Sequence, residues 1–302
     1  MDILESIGNT AMVRLGRLAP SVYAKLEWQN PTGSMKDRMA RGVLERAEAD
    51  GRLRPGGTVV EYTGGSTGAS LALVCAAKGY RLRIVTSDAF SREKLDQMRA
   101  FGAELTIVPS EDGKTSKKLI LDMIETARTL SREPNTFWTN QLENPDTIAG
   151  YESLGEEIWQ QTSGNLAAFV HSVGTAASLR GIANVLKRRN PDIRIVAVEP
   201  AESAVLSGGA PNTHKIEGIG IGYTPPLWDP SAVDEIIPIS TAEAKAMARR
   251  LAREEGLFAG TSSGANAVAA MQLAKRLGDD ATIVTLMVDS GLKYVNTDVY
   301  QV

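Results

Sequence analysis

Cysteine occurs once in the 302 residues, at Cys75, and histidine twice, at His171 and His214. A single thiol excludes an internal disulfide framework. Two histidines far apart in sequence, with that one thiol, argue against a transition-metal site built from His and Cys, so no metal is expected. Neither sign of charge is in excess: the formal net charge is −3, which offers no basic field to a nucleic acid or an anionic membrane. The longest apolar runs, such as residues 281–288, are far too short to span a bilayer. The opening MDILESIGNT lacks a basic region followed by an apolar stretch, so no secretory signal is expected and a soluble, cytoplasmic protein is. There is no repeat, low-complexity segment or linker. Cys75 lies in a helical apolar run and reads as buried and inert. Demanding chemistry in such a chain calls for an organic cofactor.

What is present is an ordinary globular composition, 43% apolar and 23% charged, on a length that suits one large or two modest α/β domains. From residue 57 onward, β-branched runs alternate with helical patterns. Strands are expected at 58–62, 82–86, 105–108 and 137–139, with helices at 70–78, 92–101, 116–130 and 151–161. A second series has strands at 168–172, 193–199, 235–239 and 282–288 and helices at 179–189, 242–255 and 265–277. Alternation of this length implies parallel sheets covered on both faces. The boundary between the series falls near Asn144, Pro145 and Asp146. The N-terminal piece, with Arg14 and Lys25 in two candidate strands, is open to either half.

Five segments carry candidate chemistry. In Asn30-Pro31-Thr32-Gly33-Ser34-Met35-Lys36-Asp37-Arg38, Pro31 and Gly33 mark a turn, and Ser34 with Asp37 resembles a capping box. A helix is therefore expected from Ser34, with Lys36 in its first turn. The positive end of a helix disfavours a cation there and favours the neutral amine that imine formation or general-base work requires. A surface lysine paired with Asp37 is the plain alternative.

Glu61-Tyr62-Thr63-Gly64-Gly65-Ser66-Thr67-Gly68 follows a strand and opens a helix, where backbone N–H groups can hold an anion. Gly65 and Gly68 also fit the last two glycines of a dinucleotide fingerprint, and Asp88 lies roughly 20 residues on, so a nicotinamide dehydrogenase stands as a rival. Its weakness is Thr63 in place of the first glycine. Gly174-Thr175-Ala176-Ala177-Ser178 is a second strand-to-helix turn, either a phosphate cradle or an ordinary cap. Gly260-Thr261-Ser262-Ser263-Gly264-Ala265 precedes an alanine-rich helix, and 218–222 is a glycine-alternating loop.

In this order, from Ile7-Gly8-Asn9-Thr10 to Ser290-Gly291, these segments resemble the cysteine synthase and cystathionine β-synthase family. The resemblance implies the α/β architecture of fold type II pyridoxal-phosphate enzymes, like the tryptophan synthase β subunit: two three-layer α/β/α domains with mostly parallel sheets. A smaller domain of residues 36–146 would carry the lysine and substrate loop, and a larger one of 1–35 plus 147–302 the phosphate cradle.

By resemblance, Lys36 forms the imine with pyridoxal 5′-phosphate and is the catalytic base. Gly174, Thr175, Ala176, Ala177 and Ser178 hold the phosphate, and Ser262 faces the ring nitrogen. Thr63, Gly64, Gly65, Ser66 and Thr67 form the loop for the substrate carboxylate, with Ser66 also toward the cofactor, while Gln141 and Gly218 belong to the substrate pocket. The implied reaction replaces a leaving group on the β-carbon of an O-activated serine by sulfide or a thiol, most simply cysteine synthesis from O-acetylserine. Implied alternatives are cystathionine β-synthase, serine sulfhydrylase, a serine or threonine dehydratase, and a non-catalytic homologue that binds ligand or a partner protein. A homodimer is implied too. The chain departs from the family pattern at Gly64 (usually serine), Ser66 (usually asparagine), Ala176 and Ala177 (usually glycines), and Ala11 (usually proline).

Overall fold

The computed structural model describes residues 2–114 and 116–301. In chain order the elements are β1 (Met12–Leu15), β2 (Ala19–Leu26), α1 (Lys36–Ala49), β3 (Thr58–Tyr62), α2 (Ser66–Lys78), β4 (Arg81–Ser87), α3 (Arg92–Ala100), β5 (Glu104–Val108), α4 (Lys117–Leu130), β6 (Thr136–Trp138) and α5 (Asp146–Ala149). They continue with α6 (Glu152–Gln161), β7 (Ala168–Ser172), α7 (Ala177–Arg189), β8 (Arg194–Pro200), β9 (Glu235–Ile239), α8 (Thr241–Arg250), α9 (Thr261–Leu277) and β10 (Ile283–Met287). The chain separates into two compact units, one of Met1–Ile7 and Lys36–Gly150, the other of Gly8–Met35 and Tyr151–Val302.

The first unit is built on a four-stranded parallel sheet in the order β5-β4-β3-β6. β3 is buried along its whole length, as a continuous apolar run in a parallel sheet requires. α4 turns Leu119, Met123 and Ala127 inward at four-residue intervals, the spacing of one helix face, and Ser116 caps it by accepting from the Leu119 N–H.

The second unit has a six-stranded sheet, β1-β2-β10-β7-β8-β9, parallel except for the β1–β2 hairpin. Its core joins Val22 and Ala24 of β2 to Ala168, Val196, Ile239 and the alanine-rich face of α9. Lys25 is fully buried and ion-paired to Glu157 at 2.6 Å.

Several expected boundaries move. Residues up to Ile7 group with the first unit, and the division falls at Gly150 rather than Asp146. The reason is local: a Cβ at Gly42 would lie 2.7 Å from the Gly150 Cα, so α5 and its end pack backbone-to-backbone on α1, while Arg41 donates to the Leu4 carbonyl. The helix expected from Ser34 opens at Lys36, because Ser34 bridges to Asp289 and the Met35 N–H donates to the Val288 carbonyl. α2, α7 and α9 begin at Ser66, Ala177 and Thr261, each earlier than expected. The expected 242–255 helix ends as α8 at Arg250 and continues as one wide turn, Leu251–Glu255.

Candidate active site

In the first unit, Lys36 is the first residue of α1, and the next two side chains, Asp37 and Arg38, are buried. The turn from β3 to α2 runs through Thr63, Gly64 and Gly65. The Thr63 N–H donates to the Val85 carbonyl at 2.9 Å, and the Gly65 N–H donates to Thr63 Oγ1 at 3.2 Å. Ser66 and Thr67 then lie in the first turn of α2, which no side chain caps. The Gly68 N–H turns back to the Gly65 carbonyl at 3.1 Å, and a helix start of this kind can receive an anion.

Thr67 Oγ1 donates to Gln141 Oε1 at 2.7 Å, so two expected pocket residues far apart in sequence meet. At Gly64 a Cβ would overlap the ring of Phe90, which lies against the loop. Gly64 has no left-handed backbone; glycine is required there for space.

Glu61, on β3 beneath this turn, is fully buried. Oε1 accepts from the Tyr62 N–H at 2.8 Å and from Trp138 Nε1–H at 3.5 Å. Oε2 accepts from the Thr139 hydroxyl at 2.6 Å and from the Gln141 N–H at 3.0 Å. Burial raises the carboxyl above its ordinary value, against the pull of these hydrogen bonds. Glu61 has no role assigned from the sequence, and Phe90 belongs to none of its motifs. The signal for Glu61 was a carboxylate inside an otherwise apolar strand.

In the second unit, β7 leads into Val173 and Gly174. A Cβ at Gly174 would overlap the Gly218 carbonyl oxygen, and the Gly220 N–H donates to the Val173 carbonyl at 3.0 Å. The glycine loop that includes Gly218 therefore lies directly on the cradle. Ala176 sits at φ +69°, in the left-handed region, immediately before α7, a conformation that costs a non-glycine residue about 1–2 kcal/mol. Ala177 and Ser178 open the helix and no side chain caps it. Ser262 lies buried in the first turn of α9 between two engaged hydroxyls. Thr261 Oγ1 accepts from the Glu217 N–H at 3.1 Å and Ser263 Oγ from the Val288 N–H at 2.9 Å. Ser262 takes part in neither bond.

These donors suit a phosphate monoester. The turn at 174–178 offers backbone N–H groups and hydroxyls at the start of a thirteen-residue helix, and the close approach at Gly174 leaves no room for a side chain there. Among the described residues no group of three or more His, Cys, Asp or Glu could hold a metal ion. Cys75 is buried, and burial pushes its thiol up, away from the reactive thiolate.

The first unit sets Lys36 at the start of α1, and the second sets the turn at 174–178 at the start of α7. The chain belongs to the pyridoxal-phosphate dependent enzyme family, whose pattern matches residues 3–289. More particularly, it is 42% identical over 305 aligned residues to a protein of Staphylococcus aureus (strain Mu50) named cysteine synthase, covering 99% of this chain and 96% of that one. It is 40% identical to a probable cysteine synthase of Bacillus subtilis (strain 168), covering 97% and 96%. The crystal structure of cysteine synthase from Entamoeba histolytica superposes with a TM-score of 0.93 at 36% identity, covering 100% of this chain and 90% of that one.

Proposed function

We propose that the protein is a cysteine synthase, exchanging the acetoxy group of O-acetylserine for sulfide to give cysteine and acetate. The observation that carries this is the α7 N-terminus, preceded by the close backbone approach at Gly174, in a chain that matches cysteine synthases along nearly its full length. When bound, pyridoxal phosphate supplies an aldehyde that condenses with amines and a ring that draws electron density from the substrate's α-carbon.

The residues at 174–178 hold the phosphate through N–H and O–H donors, and the α7 dipole adds to that hold. Lys36 would hold the cofactor through Nζ. Its position at a helix start favours a neutral Nζ, which could accept the substrate's α-proton. Ser262 would offer the ring nitrogen a neutral hydroxyl, which would support electron withdrawal less than a carboxylate partner would. Thr63 to Thr67 bind the substrate carboxylate at the α2 N-terminus, and the Thr67–Gln141 hydrogen bond orients the amide in the same pocket. Closure of that loop excludes water from the reactive β-carbon. Among the described residues no helix is long and apolar enough to cross a membrane, and a cytoplasmic homodimer is part of the proposal.

The test is spectroscopic. Purified protein supplied with pyridoxal phosphate turns yellow, its visible band changes on adding O-acetylserine, and cysteine forms when sulfide follows. Lys36→Ala removes both the band and the turnover. Retained colour and turnover in that variant defeat the lysine assignment, and an unresponsive band defeats the substrate. Serine in place of O-acetylserine, and homocysteine in place of sulfide, separate serine sulfhydrylase and cystathionine β-synthase activities from cysteine synthesis.

A further inference from the structure

His171 is buried on β7, and the proposed function gives it no role. Its Nε2 lies 2.9 Å from Ser178 Oγ, and its Nδ1 lies 3.4 Å from Asn266 Nδ2. The orientation of Asn266 is fixed by two backbone groups. Its Oδ1 accepts from the Ser172 N–H at 2.7 Å, and its Nδ2 donates to the Leu286 carbonyl at 3.0 Å. Turning the amide over would set NH2 against N–H and oxygen against oxygen, so the orientation is determined. Asn266 therefore presents a donor to His171 Nδ1. A protonated Nδ1 would place two donors face to face, which leaves Nδ1 as an acceptor and puts the ring proton on Nε2. Nε2–H then donates to Ser178 Oγ, and the serine's own proton must point elsewhere. Ser178 stands in the first turn of α7, where the unpaired backbone N–H groups gather.

We infer that His171 is a positioning residue: with Asn266 it holds the Ser178 hydroxyl as an outward donor, ready for an oxygen of a bound phosphate monoester. A serine left to itself can turn its proton to any acceptor within reach. Here one lone pair is engaged from behind, so the hydroxyl is committed to donation before the ligand arrives, and binding loses less in ordering it. The inference rests on the proposed reading of 174–178 as the phosphate site. Its first half, the Nε2–H tautomer, stands on Asn266 alone.

Two measurements test it on the full chain. Nitrogen-15 correlation spectra of the histidine rings read the tautomer directly. The protein has only two histidines, and His214→Gln assigns the other. His171 is expected as the neutral Nε2–H form; an Nδ1–H ring overturns the inference. The second measurement compares affinity for pyridoxal 5′-phosphate with affinity for pyridoxal, which lacks the phosphate, by fluorescence titration of cofactor-stripped protein. His171→Leu should weaken the phosphate ester about tenfold, the size of one charge-assisted hydrogen bond, and leave pyridoxal binding unchanged. Ser178→Ala should do the same, and the double variant should lose no more than either single one. His171→Gln, whose amide can still donate toward Ser178, should recover most of the loss. Equal losses for both ligands, or additive losses in the double variant, overturn the inference. Failure of the unaltered protein to bind pyridoxal phosphate at all overturns instead the cofactor reading, and the ring spectrum distinguishes the two failures.

Discussion

A side chain at position 64 and the ring of Phe90 compete for the same volume, since a Cβ on Gly64 would overlap three ring atoms. Phe90 is partly buried and packs against the cluster that holds Val60, Tyr62 and Val85, so moving its ring aside would cost packing. The family's usual serine at this position thus becomes impossible while Phe90 stays in place. Gly64→Ser should lower stability by about 1–3 kcal/mol through overpacking. Phe90→Ala leaves a gap of its own, but in the double variant the serine occupies part of it. Thermal or urea unfolding of the four proteins should give a double variant less destabilised than the sum of the singles, with a coupling of about 1 kcal/mol or more. Strict additivity would sink the idea that the two positions share one space. The glycine was legible as a departure from the family pattern. Phe90 was not, because a ring that fills a missing side chain's volume is visible only in three dimensions. His171 went unread for a related reason: its tautomer is set by Asn266, 95 positions away in the chain.

At the scale of elements, the strands were the legible part. β3, β7 and β9 lie where their apolar and β-branched runs predict, at 58–62, 168–172 and 235–239. The starts of α2, α7 and α9 were read late because each begins in glycine, serine or threonine, residues that favour turns and caps over helix interiors. These starts are also the candidate binding sites proposed above.

Glu61 ties such a start to its neighbour. It joins the end of β3 to the turn after β6, accepting from Thr139 and from the Gln141 backbone, and so fixes the residue that meets Thr67. The pH dependence follows from burial, which raises Glu61 above its ordinary 4.5 in the folded chain. Between the unfolded and folded values the folded chain binds the extra proton, so Glu61's contribution to stability is fully present below about 4.5 and is lost as pH rises toward the folded value. Denaturant unfolding of the wild type minus Glu61→Gln should show that difference falling with rising pH above 4.5, at up to about 1.4 kcal/mol per pH unit. A difference that is flat or climbs with pH would show that the hydrogen bonds outweigh burial and hold the carboxyl ionised.

At the scale of the whole molecule, the chain order sets how each unit can form. All strands of the first unit lie between Thr58 and Trp138; β3–β4 and β4–β5 pair across short stretches of sequence, and even the longer β3–β6 pairing, Thr58 opposite Thr136, stays within that span. The second unit is discontinuous: β2 pairs in parallel with β10, Val22 opposite Ile283 and Leu26 opposite Met287. That pairing closes almost the entire chain into one loop, whose entropy must be lost before its contacts repay it. β2 is no dispensable edge, since it lies between β1 and β10 and carries the fully buried Val22, Ala24 and Lys25. The sequence suggested strands around Arg14 and Lys25 without deciding their half, because strand periodicity carries no information about a partner hundreds of residues away. The order of folding follows from this topology. On dilution from denaturant, pulse-labelled hydrogen exchange should find the amides of β3 and β4 protected before those of β2 and β10. Deleting residues 1–35 should abolish cooperative unfolding of the second unit while β3 and β4 still acquire protection. Simultaneous protection of β2 and β3, or a second unit that still unfolds cooperatively without β2, would mean that the β2–β10 pairing is neither late nor required.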